Sequence, residues 1–398
     1  MNPDLAQLQA YPFEKLARLK HGITAPTQLQ HIALSVGEPK HPTPQVISEA
    51  LLEHLHTLGQ YPTTRGLDAL RQSIAAWLSQ RFAINLDQLN PDSQILPVSG
   101  TREALFSFAQ CIIDRTTPAL VAMPNPFYQI YEGAALLAGA QPYFINCDEK
   151  NGYLPDYDSV SSETWEKCQL LYICNPGNPS GATHDEQQLK RLIELAHRFD
   201  FIIAADECYS EIYTTGQAKP LGLLEVSQRM GNHEFSRCVV FHSLSKRSNA
   251  PGLRSGFVAG DAKVLSNYFS YRTYHGCTLP PPSQYASIAA WNDEQHVQKN
   301  RALYTQKFND VLNIISTSLD VKAPDAGFYL WAKTPISDIE FARKLFEQQH
   351  ITVLPGQYLS RDTNRGNPGL NHVRMALVAD VEECVEAANR IKCFLQTL

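Results

Sequence analysis

Seven short apolar runs recur between residues 94 and 259, each parted from the next by a stretch of helix-like or loop-like sequence. They are Gln94–Ser99, Ala119–Met123, Gln141–Cys147, Gln169–Cys174, Phe201–Ala205, Cys238–His242 and Ser255–Ala259. Each is too short for a helix, and apolar side chains fall on both faces, as in a strand covered from above and below. Between them, Thr101–Ile113, Tyr128–Ala138 and Asp185–Arg198 carry helical spacing. Thr183-His184-Asp185-Glu186 has the Ser/Thr-x-x-Glu form of a capping box and is expected to open the third of these helices. Alternating strands and helices predict an α/β fold with a mainly parallel sheet sandwiched by helices, because parallel neighbours need a crossover connection.

The pattern changes after residue 285. Tyr285–Phe308 reads as one long helix, followed by a strand over Gly327–Ala332, a helix over Ile339–His350, strands over Ile351–Val353 and His372–Leu377, and a helix over Val381–Thr397. This portion predicts a smaller α+β unit. No repeat, low-complexity tract or polar linker separates the two parts, so they are expected to pack together.

Charge narrows the function classes. Charged residues make up only 19% of the chain, below the ~25% of an average domain, which predicts a large buried core and room for a subunit interface. The balance of 34 Lys and Arg against 40 Asp and Glu is −6, and no block of Lys and Arg occurs, which argues against nucleic acid as partner. No apolar run reaches the ~18 residues of a membrane span, and the first residues, MNPDLAQLQAYPFEKL, lack a basic region followed by an apolar stretch. Nine cysteines without a C-x-x-C pair read as reduced, buried thiols, so a cytoplasmic location is expected. His54 and His56, two apart on a helical stretch, do not share a face, and no metal site is expected.

The motifs that carry chemistry cluster at strand ends. Lys246, in Ser243-Leu244-Ser245-Lys246, follows the run Cys238–His242, and Gly252-Leu253-Arg254-Ser255-Gly256 comes next. A lysine kept dry loses its proton easily and suits Schiff-base chemistry, and Arg254 could supply both a lowering field and a fork for phosphate oxygens. Asp206 ends the run Phe201–Ala205; it either caps a helix or is a buried carboxylate that needs a partner. Ser99-Gly100-Thr101-Arg102 turns a strand into a helix whose first N–H groups and dipole suit a phosphate, although many helices begin this way. Asn175-Pro176-Gly177-Asn178-Pro179-Ser180-Gly181 reads by itself as a turn. Arg374, flanked by apolar residues in His372–Leu377, is either a buried ion-pair member or an anion clamp.

Ser243-x-x-Lys246 with Gly252-x-Arg254-x-Gly256 resembles the cofactor-lysine signature of the class I/II pyridoxal-phosphate aminotransferases of fold type I, and the resemblance runs from about Ser35 to the carboxyl terminus. It implies a seven-stranded sheet within a large cofactor unit over 45–288, and a small unit built from 1–44 and 289–398. It implies pyridoxal 5′-phosphate held covalently by Lys246, which also moves the proton during ping-pong transamination. Asp206 would pair with the ring nitrogen, while Tyr209 and Asn178 hold the 3′-oxygen, with Asn178 also facing the substrate. Tyr128 would stack on the ring, and Gly100, Thr101, Arg102, Ser243 and Arg254 would hold the phosphate. Arg374 would grip the substrate α-carboxylate, helped by the backbone amide of Gly37. Tyr61 would reach the phosphate of a neighbouring subunit, which implies a homodimer with shared sites.

The segments NPFYQIYEGA and Tyr271–Cys277 and the opening L-x-x-Y-P-F-E-K-L are similar to proteobacterial succinyldiaminopimelate aminotransferases, which implies lysine biosynthesis with glutamate as amino donor. A second anionic group on the substrate then calls for a second cation, with Arg102 the first candidate and Arg272 a weaker one. Aspartate- or alanine-type aminotransferases, and β-lyases or decarboxylases on the same constellation, are the alternatives. A transcription regulator of this fold would carry a DNA-binding domain in front, whereas only about 30 residues precede the match.

Overall fold

All seven predicted runs form strands of one sheet in a computed structural model that describes residues 1–398. In chain order the strands are β1 (Ile32–Ala33), β2 (Ile95–Val98), β3 (Leu120–Asn125), β4 (Gln141–Asn146), β5 (Cys168–Cys174), β6 (Ile202–Asp206), β7 (Cys238–Ser243), β8 (Gly256–Gly260), β9 (Tyr329–Lys333), β10 (Ile351–Thr352), β11 (Leu354–Pro355) and β12 (His372–Ala376). The large sheet has the order β2-β8-β7-β6-β5-β3-β4. β8 runs antiparallel to both β2 and β7; the remaining pairs are parallel. The carboxyl ends of β2, β3, β5, β6 and β7 therefore meet on one edge, together with the start of β8.

Both faces of this sheet are buried, in strict alternation. Leu171, Ile173, Ile203, Ala205 and Val240 face one core, with helices Asp68–Phe82, Glu186–Phe199 and Pro281–Asn292. Leu170, Tyr172, Ala204, Val239 and Phe241 face the other, with helices Thr101–Ile112, Ile130–Leu137 and Ala262–His275. The period-two alternation fixes register, because a slip of one residue would exchange the two cores. Each fully buried Leu, Ile or Phe contributes ~1.5–3 kcal/mol of transfer free energy, so the central strands anchor the edge where the loops gather.

The last part forms a second layer. β9, β12 and β11 make an antiparallel sheet, β1 pairs with β10, and a separate core includes Ile32, Leu34, Phe341, Leu345, Val373 and Ile391. The amino-terminal helix Pro12–Lys20 and the segment after β1 join this layer. No helix is long and apolar enough to cross a membrane.

Three local expectations need correction. The helix expected to open at Thr183 begins at Glu186, where Asp185 accepts from Gln188 N (2.8 Å) and Gln188 Oε1 accepts from Asp185 N (2.9 Å). Thr183 is held instead by Asp325, at 3.0 Å from its backbone nitrogen. The single helix expected over Tyr285–Phe308 is two, Pro281–Asn292 and Gln295–Ile315. Asp293 leaves the helical region (φ −111, ψ 120), its carboxylate accepts from His296 N (3.0 Å), and Arg247 reaches in to the carbonyls of Ala290 (2.7 Å) and Asp293 (3.3 Å). A side chain that competes for backbone groups, with a guanidinium from another element, interrupts a ladder that the apolar spacing alone would continue. Finally, all nine cysteines are free thiols, but Cys277 and Cys393 are exposed rather than part of the core.

Candidate active site

The strand ends and the small layer enclose a cavity of about 430 Å³. Lys246 is the one lysine among its lining residues, and all but two of the residues singled out from the sequence as site candidates either line it or, in the case of Gly100, abut its lining residue Arg254.

The end of the cavity at Arg254 is built by two converging positive features. Gly100 precedes the helix Thr101–Ile112 at φ +97, and a Cβ there would overlap the Arg254 guanidinium. The helix N-terminus and Arg254 therefore share one small volume, the arrangement that suits an anion. Arg254 takes the left-handed conformation at φ +52, donates to the Pro251 carbonyl (3.0 Å) and pairs with Glu103 at 2.9 Å. Ser243 caps the short helix Leu244–Arg247, its hydroxyl accepting from Ser245 N at 3.0 Å, and Ser245 lines the cavity beside it. Thr101 places its hydroxyl 3.2 Å from the Cys208 sulfur.

In the middle lies Asp206, buried at the end of β6. Its Oδ2 accepts from the Tyr131 hydroxyl (2.7 Å) and its Oδ1 from Cys208 N (3.3 Å). Neither partner is a cation, and burial pushes its carboxyl above the ordinary range. A buried carboxylate in this setting lacks a cationic N–H donor, which a protonated ring nitrogen would supply. Tyr128, whose phenol burial keeps neutral, borders the same space.

Lys246 is drawn down to about 8, chiefly by burial, with Arg374 adding to the shift. The sequence had suggested Arg254 as that neighbouring cation. Arg254 is instead half exposed and paired with Glu103, and Arg374 is the arginine whose field acts on Lys246. The Lys246 ammonium donates to the Gly37 carbonyl and lies 5.4 Å from the centre of the Phe328 ring. Gly37 was expected to act through its amide; here its carbonyl faces the site. A Cβ at Gly37 would overlap the Tyr329 hydroxyl, so the close approach of the segment after β1 to Tyr329 requires glycine.

Arg374 is 5% exposed on β12. It donates through Nη1 to Asn178 Oδ1 (3.0 Å) and through Nη2 to the Ser35 carbonyl (2.8 Å), lies 4.3 Å from the centre of the Tyr329 ring, and has no carboxylate partner. Its Nε is buried without any acceptor. Tyr209 places its hydroxyl 3.1 Å from that of Tyr329. At the mouth, Arg102 donates to the Tyr11 hydroxyl (2.8 Å) and makes no ion pair.

Two expected participants lie elsewhere. Tyr61 is 98% exposed and does not line the cavity of its own chain. Arg272 is buried against β2, donating to the Pro97 carbonyl at 2.6 Å, and lies outside the cavity, so it is not a second cation for a ligand there. Sequence reasoning missed Tyr11, Cys208 and Tyr329, which line the site, as well as Tyr131 and Phe328, which support it.

The donor set would suit a flat ring whose cationic nitrogen Asp206 could hold, whose aldehyde carbon Lys246 could reach and whose phosphate Gly100 and Arg254 could take, and the cavity has room for it. The family model described as aminotransferase class I and II matches residues 30–391. An aminotransferase from Neisseria meningitidis is 50% identical, with a TM-score of 0.94 over 98% of this chain and 99% of its own. Aminotransferase AspB from Helicobacter pylori is 35% identical, with a TM-score of 0.90 over 98% of this chain and 100% of its own. The LL-diaminopimelate aminotransferase of Maridesulfovibrio salexigens is 31% identical over 393 residues, 97% of each chain.

Proposed function

We propose, for a chain that belongs to the class I and II aminotransferases, that it moves an amino group between N-succinyl-LL-2,6-diaminopimelate and 2-oxoglutarate. As in that family, its chemistry depends on pyridoxal 5′-phosphate. The observation that carries the substrate class is a pair of cavity arginines without carboxylate partners, Arg374 deep in the site and Arg102 at its mouth. Two unmatched guanidinium groups suit a ligand with two separated carboxylates, which both glutamate and a succinylated diaminopimelate provide.

In this reading Asp206 holds the cofactor's ring nitrogen, Tyr209 and Asn178 its 3′-oxygen, and Gly100, Thr101, Ser243 and Arg254 its phosphate, while Tyr128 packs on the ring. The bound cofactor supplies an electron sink for the substrate's Cα. Arg374 grips the α-carboxylate and so sets which Cα bond faces the ring. Lys246 Nζ takes the Cα proton and returns it to the cofactor side, a task that an amine with a pKa of about 8 performs near neutral pH. The Gly37 carbonyl orients that amine between transfers. The same reading divides the chain into a large unit over 45–288 and a small one from 1–44 and 289–398.

Arg102→Ala is expected to lower kcat/KM for glutamate and for succinyldiaminopimelate by about tenfold, the scale of one lost charge-assisted hydrogen bond. Alanine as donor should change less than about twofold. Equal losses on dicarboxylic and monocarboxylic donors would remove Arg102 from this role. Free LL-diaminopimelate is the second reading, favoured by several LL-diaminopimelate aminotransferases at 30–32% identity. Its far end adds an ammonium, for which Glu38 in the cavity lining is the available acid. Side-by-side kcat/KM for the free and succinylated forms decides between them.

The exposure of Tyr61 supports a homodimer in which that side chain serves a second copy's site. Equilibrium sedimentation should return about twice the 44.5 kDa chain mass; a single-chain mass at micromolar concentration would rule this out.

A further inference from the structure

The cavity is not the only place where a lysine is buried. Lys307, on the helix Gln295–Ile315, is 0% exposed and has no carboxylate within ion-pair distance. The nearest acids are on the start of the last helix: Glu383 pairs with Lys40 at 3.3 Å, and Asp380 caps the helix by accepting from Glu383 N. Cys384 and the Tyr304 ring, at 4.8 Å, complete its surroundings.

The three protons of the ammonium instead find three neutral acceptors on two other segments. Lys307 Nζ lies 2.6 Å from His41 Nε2, 3.3 Å from the Leu377 carbonyl and 3.4 Å from the Val378 carbonyl. Because an ammonium can only donate, His41 Nε2 accepts and its Nδ1–H donates to Asn300 Oδ1 at 2.7 Å. Asn300 Oδ1 also accepts from Asn249, three residues beyond Lys246, at 3.1 Å. Thr43 closes the circuit by donating to the Asn249 carbonyl at 2.8 Å.

Each segment tied down in this way carries a working group. The strap 35–43, which holds His41, presents the Ser35 carbonyl to Arg374 and the Gly37 carbonyl to Lys246. Leu377 and Val378 directly follow β12, the strand of Arg374, and Leu377 N donates to the carbonyl of Phe328, whose ring lies under Lys246. Ala376 N donates in turn to Leu34, at the root of the strap.

We propose that Lys307 is a positioning residue for transamination, which fixes the strap and the end of β12 relative to each other so that Arg374 meets the substrate α-carboxylate in register. It rests on membership of the aminotransferases and not on which far-end group the substrate carries. Burial draws Lys307 down to about 8, opposed by Cys384 and by the more distant charges of Asp380 and Glu383. Removing its amine leaves His41 Nε2 and two buried carbonyls unmet, and the two segments lose their common anchor.

The test uses Lys307→Met in the cofactor-loaded full chain, with 2-aminoisobutyrate as ligand. This amino acid has the α-carboxylate and amine but no Cα hydrogen, and its binding is read from the cofactor absorbance without turnover. Its Kd is expected to rise on the order of tenfold, while the Kd for pyridoxal phosphate, held mainly at the opposite side of the cavity, stays within about twofold. An unchanged Kd for 2-aminoisobutyrate, or equal weakening of ligand and cofactor, would overturn the proposal. Should Lys307→Met not fold, His41→Leu at a half-buried position cuts the same link, and the same selective loss is required of it.

Discussion

Lys246→Ala should lower the rate of transamination by about 10⁴-fold, the upper end of what a positioned acid–base group contributes, with cofactor still bound non-covalently through the contacts proposed for Asp206 and Arg254. The loss is large because no second base stands ready: Lys246 is the only lysine in the cavity lining, and Tyr128 and Tyr209 are pushed far above neutral pH by burial. The measurement is the half-reaction with glutamate, followed by cofactor absorbance under single-turnover conditions. Residual activity above about one per cent would mean that another group carries the proton. A pH profile of the native chain checks the same residue independently. Attack on the cofactor aldehyde requires the neutral amine, so capture of pyridoxal phosphate by cofactor-free protein should rise about tenfold per pH unit in acid and level off above about 8. An ordinary lysine would keep the rate rising to about 10.5.

Asp206→Asn should produce opposite effects on activity and on stability. Activity is expected to fall by about 10²- to 10³-fold, corresponding to the ~3–4 kcal/mol lost when one partner of a buried charge pair is removed. Without cofactor, however, the same carboxylate is a cost, since burial raises its pKa above the ordinary 3.8. The native state then binds more protons than the unfolded chain between 3.8 and the raised value, and stability falls as pH increases through that window. Above it the penalty is fully present, and below 3.8 it is absent. The asparagine variant should therefore melt about 1–3 °C higher than the native chain at neutral pH, both free of cofactor, and show no such gain in acid. A lower melting temperature at neutral pH would show that the hydrogen bonds from Tyr131 and Cys208 outweigh the buried charge.

This divergence explains why several residues of the candidate site stand out in the sequence. Asp206, Lys246, Asn178 and Arg374 break local rules: a carboxylate closing an apolar run, a lysine between serines at a strand's end, an Asn-Pro pair after a strand and an arginine inside an apolar strand. A residue that opposes the pattern around it is visible in a short window, because the conflict lies with its immediate neighbours. Arg254 was visible too, but not its state. It pairs with Glu103, 151 positions away, and the arginine whose field lowers Lys246 is Arg374.

Residues that agree with their surroundings leave no such mark. Tyr329 and Tyr131 sit in apolar segments where an aromatic ring is expected, and only the packing of one layer on the other brings Tyr329 beneath Gly37 and against Tyr209, 120 positions away. Arg272 showed the reverse, a cation conspicuous in the sequence that folding places against the Pro97 carbonyl. The break at Asp293 depends likewise on Arg247, more than forty positions earlier.

The sequence by itself determined the seven strands, their burial on two faces and the chemistry gathered at one edge, because hydrophobic period and strand-end residues act over a few positions of chain. Only the tertiary structure decided which arginines remain free for anions, what holds Lys246 and Arg374 in register, and that Lys307 links the strap to β12. Those outcomes rest on contacts between segments more than 70 to 330 positions apart, where the free energy of a hydrogen bond depends on whether water is excluded around it and not on the neighbours in the chain.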